Sequence, residues 1–140
     1  MGVPSIKVLQ REGEQIAREI CRRTPLPLCR AEAPDLLVVS PGFVRAGGIP
    51  DGRAEILLLP GFTETCRVRS RCAVTYGLSG RDTLTLSSLA PRRRVLALQR
   101  EILTVSGLIL ERQEVTVRDA MEPEALLAVY GALLLLGEKL

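Results

Sequence analysis

Two short runs, DLLVVSPG (residues 35–42) and EILLLPG (residues 55–61), constrain the fold more than any other feature of the chain. Each is a continuous apolar stretch, too short for a helix and bounded by turn residues, which is the pattern of a strand buried on both faces. A sheet covered on both faces needs chain packed above and below it. The expected class is therefore α/β, a three-layer domain around a mixed sheet. At 140 residues the chain is long enough to bury such a core as one domain, residues 1–140, without metals or disulfides. Aromatics make up 3% of the residues and Trp is absent, so packing falls to Leu, Val, Ile and Ala.

The other segments arrange themselves around these runs. SIKVLQ (residues 5–10) reads as a strand or extended lead. In REGEQIAREICRRT, Ile16, Ala17, Ile20 and Cys21 share one helical face, and Pro25 and Pro27 end the helix. The link FVRAGGIPDGR is short for a helical crossover, so part of it is expected to be irregular or hairpin-like. Further on, CAVTYGL alternates, SGRD turns at Gly80, and TLTLSS alternates Thr with Leu. This predicts a β-hairpin near residues 73–88, with Leu84 and Leu86 toward the core.

From Pro91 onward, Val95, Leu98, Ile102 and Val105 fall at helical spacing, which predicts a helix ending near Gly107 and then a strand over residues 108–117. The competing pattern for residues 95–117 is a pair of long hairpin strands about Ser106-Gly107. The final segment, EPEALLAVYGALLLLGEKL, carries Glu122 and Glu124 at its start and Lys139 at its end, as the helix dipole favours. Its apolar run, residues 125–137, covers nearly every face yet is too short to span a bilayer. Such a C-terminal apolar helix must be buried by its own domain or by a second copy. The expectation is a homo-oligomer interface at Leu133, Leu134, Leu135 and Leu136.

The chemistry is bounded by what is missing. With no histidine, Ser/His/Asp and Cys/His machinery and His-ligated zinc are excluded. Neither GxxxxGK[ST] nor GxGxxG occurs, so ATP-driven chemistry through a P-loop is not expected, and no cofactor is assigned. Cys21, Cys29, Cys66 and Cys72 lack CxxC spacing, which favours free thiols over a metal site, although Cys66 and Cys72 flank the basic run RVRSR. The net charge of +3 is a small surplus, and Phe43, Phe62, Tyr76 and Tyr130 are too scattered to form a stacking platform, so no nucleic-acid partner is expected. The N-terminus has no long apolar run after a basic start, so the expected localisation is cytoplasmic, with no membrane partner.

One place could receive a small anion. Ser87 and Ser88 precede the predicted helix, a position usually given to capping, and free amides at a helix start also attract anions. Arg92 and Arg93 follow closely and Tyr76 lies on the preceding strand, which makes Tyr76, Ser87, Ser88, Arg92 and Arg93 the candidate ligand-binding residues. Pro41-Gly42 and Pro60-Gly61 read as turns, at strand ends where α/β sheets also open crevices. Arg100, Glu101, Glu111 and Glu114 read as solvated charge.

Three pieces resemble the Mur ligases that build peptidoglycan precursors. DLLVVSPG is similar to their early Ser-Pro-Gly strand end, CAVTYGLSGRD to a late central strand, and ALLAVYGALLLLG to an alanine-rich helix, about 30 of 140 residues in all. The resemblance suggests a related sheet topology, and the expectation is a Rossmann-like, bacterial chain. The family's ATP loop and its metal-ligating His and Glu have no counterpart here, so no ligase activity and no catalytic residue are carried over. The functional expectation is a small non-catalytic interaction or assembly module, self-associating or serving a protein partner. The alternative is a protein that binds a small molecule or nucleotide-like anion, with any catalysis left to carboxylates.

Overall fold

The computed structural model describes residues 4–24, 33–90, 93–138 and 140. Strand β1 (Ile6–Leu9) leads into helix α1 (Ile16–Arg23), whose Ile16 and Ile20 are buried while Arg18 and Arg22 face solvent. Pro25 and Pro27, expected to end this helix, lie outside the described residues. Strands β2 (Leu36–Val39), β3 (Asp51–Pro60) and β4 (Arg67–Tyr76) follow in parallel, each beside its predecessor. The two apolar runs are buried strands, as expected: Leu36, Leu37, Val38, Val39, Leu57 and Leu58 are each at most 3% exposed.

Alternate residues of these strands serve different layers. Ile6, Leu36, Val38, Ile56, Leu58 and Val74 pack with Ile16 and Ile20, whereas Leu37, Val39, Leu57 and Leu59 pack with Phe43 and Val44 of a short helix, α2 (Pro41–Arg45). Pro41-Gly42 is thus a helix start with Ser40 as its cap, not a plain turn. The order β1-β2-β3-β4 contains no reversal, yet α1 and α2 lie on opposite faces. Crossovers that step the same way across opposite faces have opposite hands. One of the two therefore departs from the right-handed rule, and among the described strands there is no switch point at which a doubly wound sheet would open a ligand crevice.

Strands β5 (Leu84–Ala90), β6 (Arg93–Leu98) and β9 (Gln113–Val117) complete a seven-stranded mixed sheet, β5 to β6 and β6 to β9 being antiparallel. The strands on either side of the SGRD turn are neighbours as expected, but they meet through one parallel bridge, Tyr76 to Leu84. The antiparallel hairpin partner of β5 is β6. A helix was expected where β6 lies. Its Leu96 and Leu98 point at the core from between two strands, and that burial overrides the helical spacing of Val95 and Leu98, while the rest of ALQREIL turns into β7. The competing hairpin about Ser106-Gly107 exists in shortened form as β7 (Ile102–Leu103) and β8 (Ile109–Leu110), with Gly107 at φ 89°.

Helix α3 (Pro123–Leu135) is where the sequence placed it, and the Glu122 carboxylate caps it by accepting from the Glu124 and Ala125 amides. It packs on α1 and on β2 to β5. Gly131 permits close approach: a Cβ there would meet a Leu84 methyl at 2.9 Å. Leu133, Leu134 and Leu135 are 3%, 7% and 0% exposed, and Leu136 is half-buried against the same core. The expected interface at these four residues is corrected accordingly. One chain covers the helix without a second copy.

Candidate functional site

The structure does not bring the four described residues of the predicted ligand set together. Tyr76 ends β4 inside the core, 1% exposed, and its hydroxyl donates to the Val39 carbonyl at 2.6 Å. Burial raises its pKa well above the ordinary value of 10.0. Ser87 and Ser88 lie within β5, so no helix start supplies amides beside them, and the Ser87 hydroxyl donates to the Val95 carbonyl at 3.4 Å. Arg93 opens β6 and is exposed, lining a shallow depression of about 520 Å³ with Arg118, Asp119 and Ala120. Arg92 lies outside the described residues. Placing the site at a helix start is therefore corrected: the segment is a strand because its alternate residues are needed by the core.

The strand ends at the two Pro-Gly positions carry the chain's own carboxylates. At the end of β2, Glu14 accepts from the Ser40 hydroxyl at 2.5 Å, the Arg11 amide at 2.6 Å and the Gly42 amide at 3.1 Å. A ligand carboxylate would want the same donors. At the ends of β3 and β4, Asp82 is 5% exposed, accepts from the Ser79 amide at 3.1 Å, and lies over Gly61 and Gly77. Its Oδ1 is 1.7 Å from where a Cβ on Gly61 would sit, which accounts for glycine after Pro60. Both Pro-Gly positions are thus internal packing features.

A second ionic cluster ties α1 to α3. Arg23 bonds the Glu19 carboxylate, reaches Asp119 Oδ2 at 2.6 Å, and stacks over Tyr130 at 5.5 Å, while the Tyr130 hydroxyl donates to Asp119 at 3.1 Å. Hydrogen bonding from Arg23 holds Glu19 below the usual carboxylate range although burial opposes it. Burial would lower the Arg23 pKa, but its contacts with Glu19, Tyr130 and Asp119 prevail and raise it. Burial is also the main cause raising Tyr130. Every charge here has a partner within the chain, so the cluster acts as a clamp. Arg100 likewise holds the 81–83 turn through the Arg81 carbonyl and Thr83 hydroxyl, and Glu101, Glu111 and Glu114 are exposed.

Cys21 and Cys66 are exposed free thiols and Cys72 is partly buried and free, while Cys29 lies outside the described residues. Cys72 lies on β4, and Cys66 immediately precedes it. Their separation along extended chain is roughly 20 Å, far beyond the reach of a disulfide. A thiol pair formed by these two within one chain is therefore ruled out. Among the described residues no three Cys, Asp or Glu side chains gather as a metal site, and no helix is long and apolar enough to cross a membrane.

Two surface features escaped the sequence reading. Leu108 and Ile109, at the β7–β8 turn, are 69% and 66% exposed; the available signal was an apolar LIL directly after a turn glycine. On β3 and β4, Arg53, Arg67, Arg69 and Arg71 are all exposed, and the signal was the alternation in RVRSR. Of the pieces similar to Mur ligases, DLLVVSPG forms β2 and the start of α2, CAVTYGLSGRD the end of β4 and its turn, and ALLAVYGALLLLG most of α3. Comparison with protein-family models, with curated proteins and with solved structures found no match.

Proposed function

We propose that the chain is a non-catalytic interaction or assembly module that pairs with a second copy through the β7–β8 turn, in a reducing, cytoplasmic setting. The observation that supports this reading is the adjacent exposure of Leu108 and Ile109 on a turn whose backbone is held in place. Thr104 N donates to the Leu108 carbonyl at 2.8 Å, Leu108 N donates to the Thr104 hydroxyl at 3.1 Å, and Val105 N donates to the Leu135 carbonyl at the end of α3 at 2.8 Å. Apolar side chains on an ordered support lose little conformational freedom on docking. Full burial of each contributes about 1.5–3 kcal/mol.

Light scattering on the full chain, beside the double variant Leu108→Asp/Ile109→Asp, tests the reading. The expected outcome is a discrete oligomer for the parent and a monomer with unchanged circular dichroism for the variant. A parent that stays monomeric, or a variant that remains associated, would remove this surface from consideration.

A further inference from the structure

We propose that the open edge of β4 is a docking strand for an extended acidic polypeptide segment. Among the described residues β4 is paired along its length with β3 on one side, while on the other it meets β5 only at Tyr76. Arg67 N donates to the Pro50 carbonyl. Alternate residues of a parallel ladder turn their amides and carbonyls to opposite edges. Val68 and Ser70 therefore present theirs to the open side, where an added strand can pair with them.

Charge identifies the occupant. Arg67, Arg69 and Arg71 alternate along β4, and Arg53 of β3 stands directly across from Arg69. Arg53, Glu55, Arg69 and Arg71 line a depression of about 530 Å³. Asp51 faces Arg67, and Glu55 is 3.7 Å from Arg71 in an exposed pair, a geometry that contributes little.

Edge arginines alone are a common guard against aggregation. That role does not account for Arg53, which is on an interior strand. Like charges directly opposite in a ladder are destabilising, so the Arg53–Arg69 pair costs the free protein stability and is relieved when an anionic chain lies against it. A second copy of this edge would set arginine against arginine. Nucleic acid would satisfy the guanidinium groups but has no peptide ladder for Val68 and Ser70. An acidic strand satisfies both, and this surface shares no residue with the β7–β8 turn.

The test uses the full chain and fluorescence anisotropy with three labelled probes: an alternating Glu-Val peptide, the same peptide N-methylated on alternate amides, and oligothymidylate. The acidic peptide is expected to bind at least about tenfold more tightly than either other probe, a difference of about 1.4 kcal/mol. Amide exchange at Val68 and Ser70 should slow in its complex. Arg53→Gln/Arg69→Gln should weaken binding by a similar factor, and Arg53→Gln alone should melt no lower than the parent because it removes the like-charge pair. Equal affinity for the N-methylated peptide would overturn strand addition, equal affinity for oligothymidylate would reassign the surface to polyanions, and a lower melting temperature for Arg53→Gln would overturn the argument from repulsion.

Discussion

Pro60 has no N–H, and it occupies the position at which β3 would donate to the Val39 carbonyl. Ile56 N donates to the Asp35 carbonyl at 3.0 Å, and two-residue steps along the register bring residue 58 to Leu37 and residue 60 to Val39. The ladder therefore leaves that carbonyl without its strand donor, and the Tyr76 hydroxyl, on the register partner of Pro60, supplies the bond at 2.6 Å. A buried acceptor stripped of its donor costs about 1–3 kcal/mol. Tyr76→Phe should lower stability by that amount, with a lower urea midpoint and an unchanged m-value because the sheet itself persists. An unchanged midpoint would mean that this hydroxyl is dispensable. The alternation of CAVTYGL made Tyr76 legible as a strand residue. Its role was not legible, because nothing local to that segment says that Pro60 stands beside it.

At the scale of elements, legibility followed how far each segment decides its own conformation. The apolar runs of β2 and β3 and the capped, apolar α3 carry their signals within a few residues, and all three formed where expected. β6 did not, because the spacing of Val95 and Leu98 and the helix-forming ALQREIL that overlaps its end are local helical signals, and only the neighbours β5 and β9 make residues 93–98 a strand. The anion site inferred at Ser87-Ser88 was lost with the helix that would have created it.

α1 offers a prediction at the same scale, since its Glu19 and Arg23 clamp it to Asp119 and Tyr130. Glu19 has its folded pKa lowered from 4.5, chiefly by the Arg23 hydrogen bond. A group depressed on folding contributes stability above its unfolded pKa and loses that contribution as pH falls through the folded one. Glu19→Gln should therefore melt below the parent at neutral pH, and the gap should close as the pH drops below about 4.5, the unfolded reference. Thermal melts of both proteins across that range check this. A gap that stays constant would show that charge plays no part in the clamp.

For the whole molecule, the decisive question is what covers α3. An apolar helix at the end of a chain can be closed by its own domain or by another copy, and the two arrangements respond differently to dilution. Here Leu126, Leu127, Ala128, Val129, Ala132 and Leu135 are all fully buried in one core with α1 and the sheet. Association, if driven by Leu108 and Ile109, uses a surface outside that core. Leu135→Ala should accordingly cost about 2–5 kcal/mol, the range for a leucine truncated in a closed interior. Calorimetry at low and high protein concentration separates the cases. A core residue lowers the melting temperature by the same amount at both, whereas an interface residue shows its full loss only where copies are paired. A loss that varies with concentration would return α3 to the interface, and a constant one leaves assembly to exposed apolar surface such as the β7–β8 turn.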